Sequence, residues 1–248
     1  GSAWMITALG TSLEGKSPEE ITRQIEWDMR ELRHCDEKWF YSSARQIIIG
    51  YEIKIPTEAM GEDLLDSTLD RLASFKKLKV DPYLEISLEG DWNKTLSSAK
   101  TNLGRWLAEN EELGLIPGLK VRTGGTTAAS AEQLAAVIAA CASSGLRFKA
   151  TQGLHEALTH NGAFGFVNLF AAINLLFSYG EEEFPLKQVE ECLLDEKKAS
   201  FKFAGKTFSW KKYSLQSDAI EAARRVHAAC FGSCSLDEPD DSLKKEFE

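Results

Sequence analysis

The sequence predicts an α/β protein, best matched by a TIM-like β/α barrel that is incomplete or distorted. An open doubly wound α/β sheet is the alternative. Three observations support this. Short β-type runs alternate with helical patterns from Trp4 to Gly153, the connections are short enough for parallel strands, and 248 residues can bury a real core.

The elements follow in order. "WMITALG" (4–10) reads as a strand, and "SPEEITRQIEWDMREL" (17–32) as a helix. Ser17 caps that helix, Pro18 opens it and Glu20 completes a capping box. "RQIIIGYEIKIP" (45–56) is a strand ended by Pro56. A helix over 58–77 places Leu64, Leu65, Leu69, Leu72 and Phe75 on one face. The strand "YLEISLE" (83–89) precedes a helix over 91–110 that turns Trp92, Leu96, Leu103 and Trp106 inward. "GLKVRTGG" (118–125) is a strand ending in paired glycines, and an alanine-rich helix (130–143) leads to the strand "LRFKATQG" (146–153). The rhythm then changes. A loop (152–163), an apolar helix (164–177), a helix (186–195), a hairpin (200–210), a helix (216–229) and a final strand-like run (229–235) follow. The acidic end "LDEPDDSLKKEFE" reads as a solvated tail. The whole is expected to be one β/α domain over 4–248 with a small hairpin insertion. Residues 1–3 read as a cloning remnant, with an N-terminal strand and any targeting segment expected upstream.

Composition narrows the function. Net charge is −9 and no lysine/arginine block occurs, which argues against nucleic acid as partner. No apolar run reaches the roughly 18 residues of a membrane span, which argues against a membrane. Five irregularly spaced cysteines argue against a disulfide framework and for a reducing compartment, cytoplasmic or inside an organelle. Four histidines are too few to favour a metal hydrolase built on Glu52, Glu85 and His155, so neither metal nor cofactor is expected. A homo-oligomer is left open.

Strand parity supplies the candidate site. Side chains alternate faces along a strand. Tyr51, Ile53 and Ile55 therefore oppose Glu52 and Lys54, and Leu84, Ile86 and Leu88 oppose Glu85, Ser87 and Glu89. Leu119, Val121 and Thr123 oppose Lys120 and Arg122, while Phe148 and Ala150 oppose Lys149 and Thr151. Four strands thus carry one greasy and one ionic face. In a barrel the ionic face points inward, where charges must pair with one another or with a ligand. In an open sheet the same face would be wet.

At the strand ends, Gly124 and Gly125 let backbone amides approach an anion, or form a turn, and Arg122 can fork onto phosphate or carboxylate. Ser233 and Cys234 offer further donors, and Asn168 lies in the apolar helix. Lys149 suits Schiff-base formation, acid/base work or charge neutralisation. His155 would shuttle protons from the following loop, and His160 is a weaker candidate. Cys234 would be a nucleophile only with a histidine partner, which spacing alone does not supply.

The blocks "KVRTGGTTAAS", "FKATQGLHEALTH", "GFVNLFAAINLL" and "FGSCSLDEP" resemble, in order, those of an uncharacterised protein family of bacteria and some plants. That family reads K-x-R-x-G-G, F-K-A-T-x-G-L-H-H, G-F-x-N and F-G-S-C-S-x-D-E-P. Glu156 stands where its second histidine would be. The resemblance implies positions and no reaction. "FKATQG" and "KVRTGG" are also similar to the lysine strands of deoxyribose-phosphate-aldolase-like barrels, though in reversed order along the chain. That analogy implies a Schiff-base lysine and phosphate binding.

The resulting expectation is a barrel enzyme acting on a small anionic carbonyl or phosphorylated compound, by lyase or isomerase chemistry. Lys149, His155, Glu85 and Glu52 would be catalytic, with Lys120, Arg122, Gly124, Gly125, Thr151, Asn168, Ser233 and Cys234 binding substrate. The alternative is a non-catalytic anion-binding or assembly protein whose lumen is a structural ion-pair network.

Overall fold

The structure, a computed structural model, describes residues 4–40, 46–56, 62–75, 80–228, 231–235 and 237–247. They form two compact units, Gly1–Lys120 and Val121–Glu248.

The first unit alternates β1 (Trp4–Leu9), α1 (Pro18–Phe40), β2 (Gln46–Lys54), α2 (Glu62–Ala73), β3 (Asp81–Glu85) and α3 (Trp92–Glu109). It ends in the first residues of β4 (Gly118–Arg122). The capping box at α1 forms: Ser17 N donates to Glu20 at 2.8 Å and Glu20 N to Ser17 Oγ at 3.3 Å. These hydrogen bonds hold the Glu20 carboxyl below the usual carboxylate range. β1, β2, β3 and β4 pair in parallel, each with its predecessor. The helices bury Leu65, Leu69 and Leu72 of α2 and Leu96, Leu103 and Trp106 of α3, as their spacing requires.

The second unit holds the end of β4, α4 (Ala131–Ser144), β5 (Arg147–Thr151), α5 (Phe166–Glu183) and α6 (Leu186–Leu193). A three-stranded antiparallel sheet follows: β6 (Phe201–Ala204), β7 (Thr207–Trp210) and β8 (Tyr213–Gln216). Helices α7 (Ser217–Val226) and α8 (Asp237–Phe247) complete it. β5 lies beside β4, with Thr123 N donating to Thr151 O at 2.9 Å. Past α7, Gly232 adds a parallel bridge to Thr151; of the strand expected over 229–235, residues 229 and 230 lie outside the described residues and 231–235 show only that bridge.

The parallel sheet has order β1-β2-β3-β4-β5, each strand beside the one before it in sequence. That order does not reverse, as the order of a doubly wound sheet does. It stops at five strands among the described residues, short of an eight-stranded barrel. The reason lies after Thr151. Further β/α repeats give way to the apolar helix α5 and to the β6–β8 meander, where Trp210 stacks on Tyr213 and Phe184, at the end of α5, meets both edge-on. The hairpin expected at 200–210 is β6–β7, and β8 was the strand not foreseen.

The acidic C-terminus is a helix, not a solvated tail. Asp237, Glu238 and Asp240 sit in the first turn of α8, where carboxylates complement the helix dipole. Lys244 pairs with Asp240 one turn back. No helix among the described residues is long and apolar enough to cross a membrane.

Candidate functional site

In the first unit the ionic face of β2, β3 and β4 closes on itself. Lys120 Nζ lies 2.9 Å from Glu52 Oε2 and 2.8 Å from Glu85 Oε2, and all three residues are buried. The β3–β4 register sets Lys120 level with Glu85, and Glu52 shares their face two residues before Lys54, which is level with Glu85. Parity therefore located a real cluster. Lys54 itself is exposed and reaches Glu14 at 3.5 Å, and Glu89 is also exposed. A second buried group was not foreseen. The Asp28 carboxylate accepts from Tyr51 at 2.6 Å, Thr11 N at 2.8 Å, Thr11 Oγ1 at 2.8 Å and Gln24 at 3.0 Å. Burial and this carboxylate raise the Tyr51 phenol far above its ordinary range, so it stays a donor. A Cβ on Gly10 would meet the Tyr51 ring and hydroxyl, which explains a glycine there.

In the second unit Lys149 is 4% exposed, in the middle of β5. Arg122 is exposed at the end of β4 and its carbonyl accepts from Ala129 N at 2.9 Å. Gly124 and Gly153 pack backbone to backbone: a Cβ on Gly124 would lie 3.0 Å from Gly153 Cα. Gly125 has φ +78°, and a Cβ there would meet the Gln152 amide. These glycines allow two loops to touch. Thr151 is half-buried against Gly232. Asn168 is fully buried and committed to the backbone: Oδ1 accepts from Thr159 N at 2.9 Å, and Nδ2 donates to Cys192 O and Asp195 O at 2.8 Å each. His160 is exposed beside Asn161. His227 is buried and bonds Leu146 O at 2.9 Å through Nδ1, and burial holds it below the ordinary imidazole range. Burial likewise pushes the Cys192 thiol well up.

A further cluster of side chains lies just past β5. Cys234 Sγ is 3.2 Å from His155 Nε2, and His155 Nδ1 is 2.5 Å from Glu238 Oε2. Thiol, imidazole and carboxylate thus stand in line, each in hydrogen-bond reach of the next. Three local features build this. Gln152 and Gly153 have φ of 70° and 81°, an unusual pair that turns the chain sharply after β5. The segment through Gly232 is held beside β5, with Gly232 N donating to Ala150 O at 2.9 Å and Gln152 N to Gly232 O at 3.2 Å. This delivers Cys234. Helix α8 delivers Glu238, and Ser242 docks that helix: its Oγ accepts from Ala157 N and donates to Glu156 Oε2, both at 2.8 Å.

The His155 loop is itself pinned. Phe166 N and Val167 N donate to Glu156 O and Ala157 O, and a Cβ on Gly165 would overlap the Leu158 backbone. Cys234 is exposed and the His155 side chain is 33% exposed, so the line faces solvent.

No family model, curated protein or solved structure matches the chain.

His155 and Cys234 were candidates separately, but Glu238 was missed because it fell in the stretch read as a tail. No group of three or more metal-ligating side chains with metal-binding geometry occurs among the described residues. Ser233 is half-buried and its Oγ accepts from Ser235 N at 3.4 Å, shaping the turn that carries Cys234.

Proposed function

We propose that this protein is an enzyme of thiol-dependent acyl transfer that hydrolyses an ester, thioester or amide of a small acid. The observation that supports this is the contact line Cys234–His155–Glu238 on a solvent-facing surface of one compact unit. A nucleophile touching a base that is oriented by a third group is the arrangement that activates a weak nucleophile at neutral pH.

His155 Nε2 takes the Cys234 proton as Sγ attacks the acyl carbon, forming a C–S bond and moving the carbonyl pair onto oxygen. Collapse expels the leaving group, which receives the proton from Nε2. Water then attacks the thioester with His155 again as base, the C–S bond breaks, and the acid and the thiol are released. Acyl compound plus water gives acid plus leaving group, with no oxidant or reductant. Glu238 is a positioning residue: it accepts from Nδ1 and so leaves the Nε2 lone pair facing the thiol. All three residues fall on the F-K-A-T-x-G-L-H and F-G-S-C-S-x-D-E-P blocks of the resembled family, which adds weight to the reading.

The test is an intact-mass search for an acyl adduct during turnover of nitrophenyl esters and aryl thioesters. The expected result is an adduct on Cys234, absent in Cys234→Ala and formed at least about 100-fold more slowly in His155→Ala. Hydrolysis that is indifferent to Cys234→Ala would remove the proposal.

A second reading follows from Lys149, which is 4% exposed within β5. A lysine on a strand of the parallel sheet could form a Schiff base with a small anionic carbonyl compound, in the aldolase-like manner. Borohydride trapping on Lys149 would support it, and no trapping across a carbonyl panel would remove it. For the first unit, the pairing of Lys120 with both Glu52 and Glu85 favours the non-catalytic alternative, a structural ion-pair network.

A further inference from the structure

We infer that a hydrocarbon-lined cavity of the second unit binds a medium-chain fatty acid, with the chain inside and the carboxylate on Arg224 at the mouth. The inference goes beyond the thiol reading and does not depend on it. The cavity measures about 300 Å³. At about 30 Å³ per water-sized group, which is close to the size of a methylene, it holds about ten such groups. Its walls follow from helical spacing. Phe170 and Asn174 of α5 lie one turn apart on one face, and Ile220 and Arg224 of α7 have the same spacing. Phe203 of β6 and Leu243 of α8 add further wall.

The lining fixes the two ends of the ligand. Apart from Asn174 and Arg224, every lining residue is apolar. Asn174 is buried, its Nδ2 donates to Phe170 O and its Oδ1 is out of reach of solvent, so its amide serves its own helix. A hydroxyl or amide carried into this cavity would lose water without gaining a hydrogen bond, which costs free energy. The buried part of the ligand is therefore hydrocarbon. Arg224 differs: it lines the cavity yet is exposed, with its guanidinium 5.4 Å from the Phe170 ring centroid. No carboxylate among the described residues pairs with it, and Glu221, one turn back, pairs with Arg225 instead. A cation of that kind beside a hydrocarbon-lined cavity matches an anionic head on a hydrocarbon chain, and a guanidinium forks onto a carboxylate. Phe203 and Leu243 are also exposed and, with Arg224, mark the mouth. Large apolar side chains left in water around a cavity are what an apolar ligand covers.

Calorimetric titration of the wild-type protein with sodium decanoate tests this. Saturable binding is expected. Octanoate should bind about tenfold more weakly, because each methylene withdrawn from water adds to affinity. Decanol, which has the chain without the charge, should bind about fivefold more weakly than decanoate, and added salt should shrink that difference. Arg224→Gln, a surface change, should bring decanoate down to the level of decanol. Ile220→Trp should fill the cavity and abolish binding of both; where it fails to fold, the chain-length series and Arg224→Gln decide. No saturable binding, equal affinity for octanoate and decanoate, or a preference for decanoate over decanol that survives Arg224→Gln would each overturn the inference. So would tighter binding of 4-phenylbutanoate, a carboxylate with as many heavy atoms and a ring in place of the chain. No step of this titration uses the Cys234 thiol. Its failure leaves the thiol reading standing, and hydrolysis indifferent to Cys234→Ala removes that reading while leaving this one.

Discussion

Ser242→Ala should disarm Cys234 without touching any of the three reactive side chains. The Ser242 hydroxyl bridges Ala157 N and the Glu156 carboxylate and, beside the Glu238–His155 contact, links α8 to the His155 loop. Losing it leaves a buried backbone N–H without an acceptor, at a cost of about 1–3 kcal/mol. An 11-residue helix has little stability of its own, so that cost falls on the docked state of α8. At ~1.4 kcal/mol per decade, docking weakens by roughly 5- to 150-fold. Two readouts follow. Hydrogen exchange at the Ala157 amide should quicken by about that factor, and alkylation of Cys234 by iodoacetamide should slow as His155 loses Glu238. The double variant Ser242→Ala/Glu238→Ala should be no slower than Glu238→Ala alone, because both changes break one contact. Additive effects, or faster exchange with unchanged Cys234 reactivity, would refute the claim that α8 positions the imidazole.

Other outcomes concern the scaffold. Lys120→Met leaves Glu52 and Glu85 buried without the lysine between them and should cost about 3–5 kcal/mol in urea unfolding. Adding Glu52→Gln and Glu85→Gln should restore most of that, and a silent Lys120→Met would show that the cluster is not structural. His227 binds a proton less readily in the folded chain than in the unfolded one, so its share of stability is complete above about pH 6.5 and is lost as pH falls below that. Unfolding free energy should drop between pH 7.5 and 5.5 and the drop should shrink in His227→Gln; identical slopes would contradict this. Native protein should not react with a disulfide reagent at Cys192, which is buried and raised, until urea unfolds it.

Much of the scaffold was legible because it depends on local rules. Alternating periods gave the order of helices and strands through β5, and parity put Glu52, Glu85 and Lys120 on one face, where the parallel register joins them. What failed was what periodicity cannot see. Barrel closure depends on later strands pairing, and the chain after Thr151 turns to α5 and an antiparallel meander. The Cys234–His155–Glu238 line joins residues 79 and 83 positions apart in sequence, so no spacing rule relates His155 to Cys234 or to Glu238. Charge density disguised α8. Its acidic first turn reads as a tail, yet those carboxylates favour a helix N-terminus, and the docking contact is one unremarked serine. Two signals were available: a cysteine and a histidine each just past a strand end, where β/α folds place their sites.

The central claim is that His155 activates Cys234. Its most direct test is the rate of iodoacetamide alkylation of each cysteine, read by peptide mass spectrometry in wild type and His155→Ala between about pH 5 and 9. Cys234 should react at least about tenfold faster than half-buried Cys35 near neutral pH, and His155→Ala should abolish that lead. Cys234 reacting no faster than Cys35, with His155→Ala making no difference, would contradict the account.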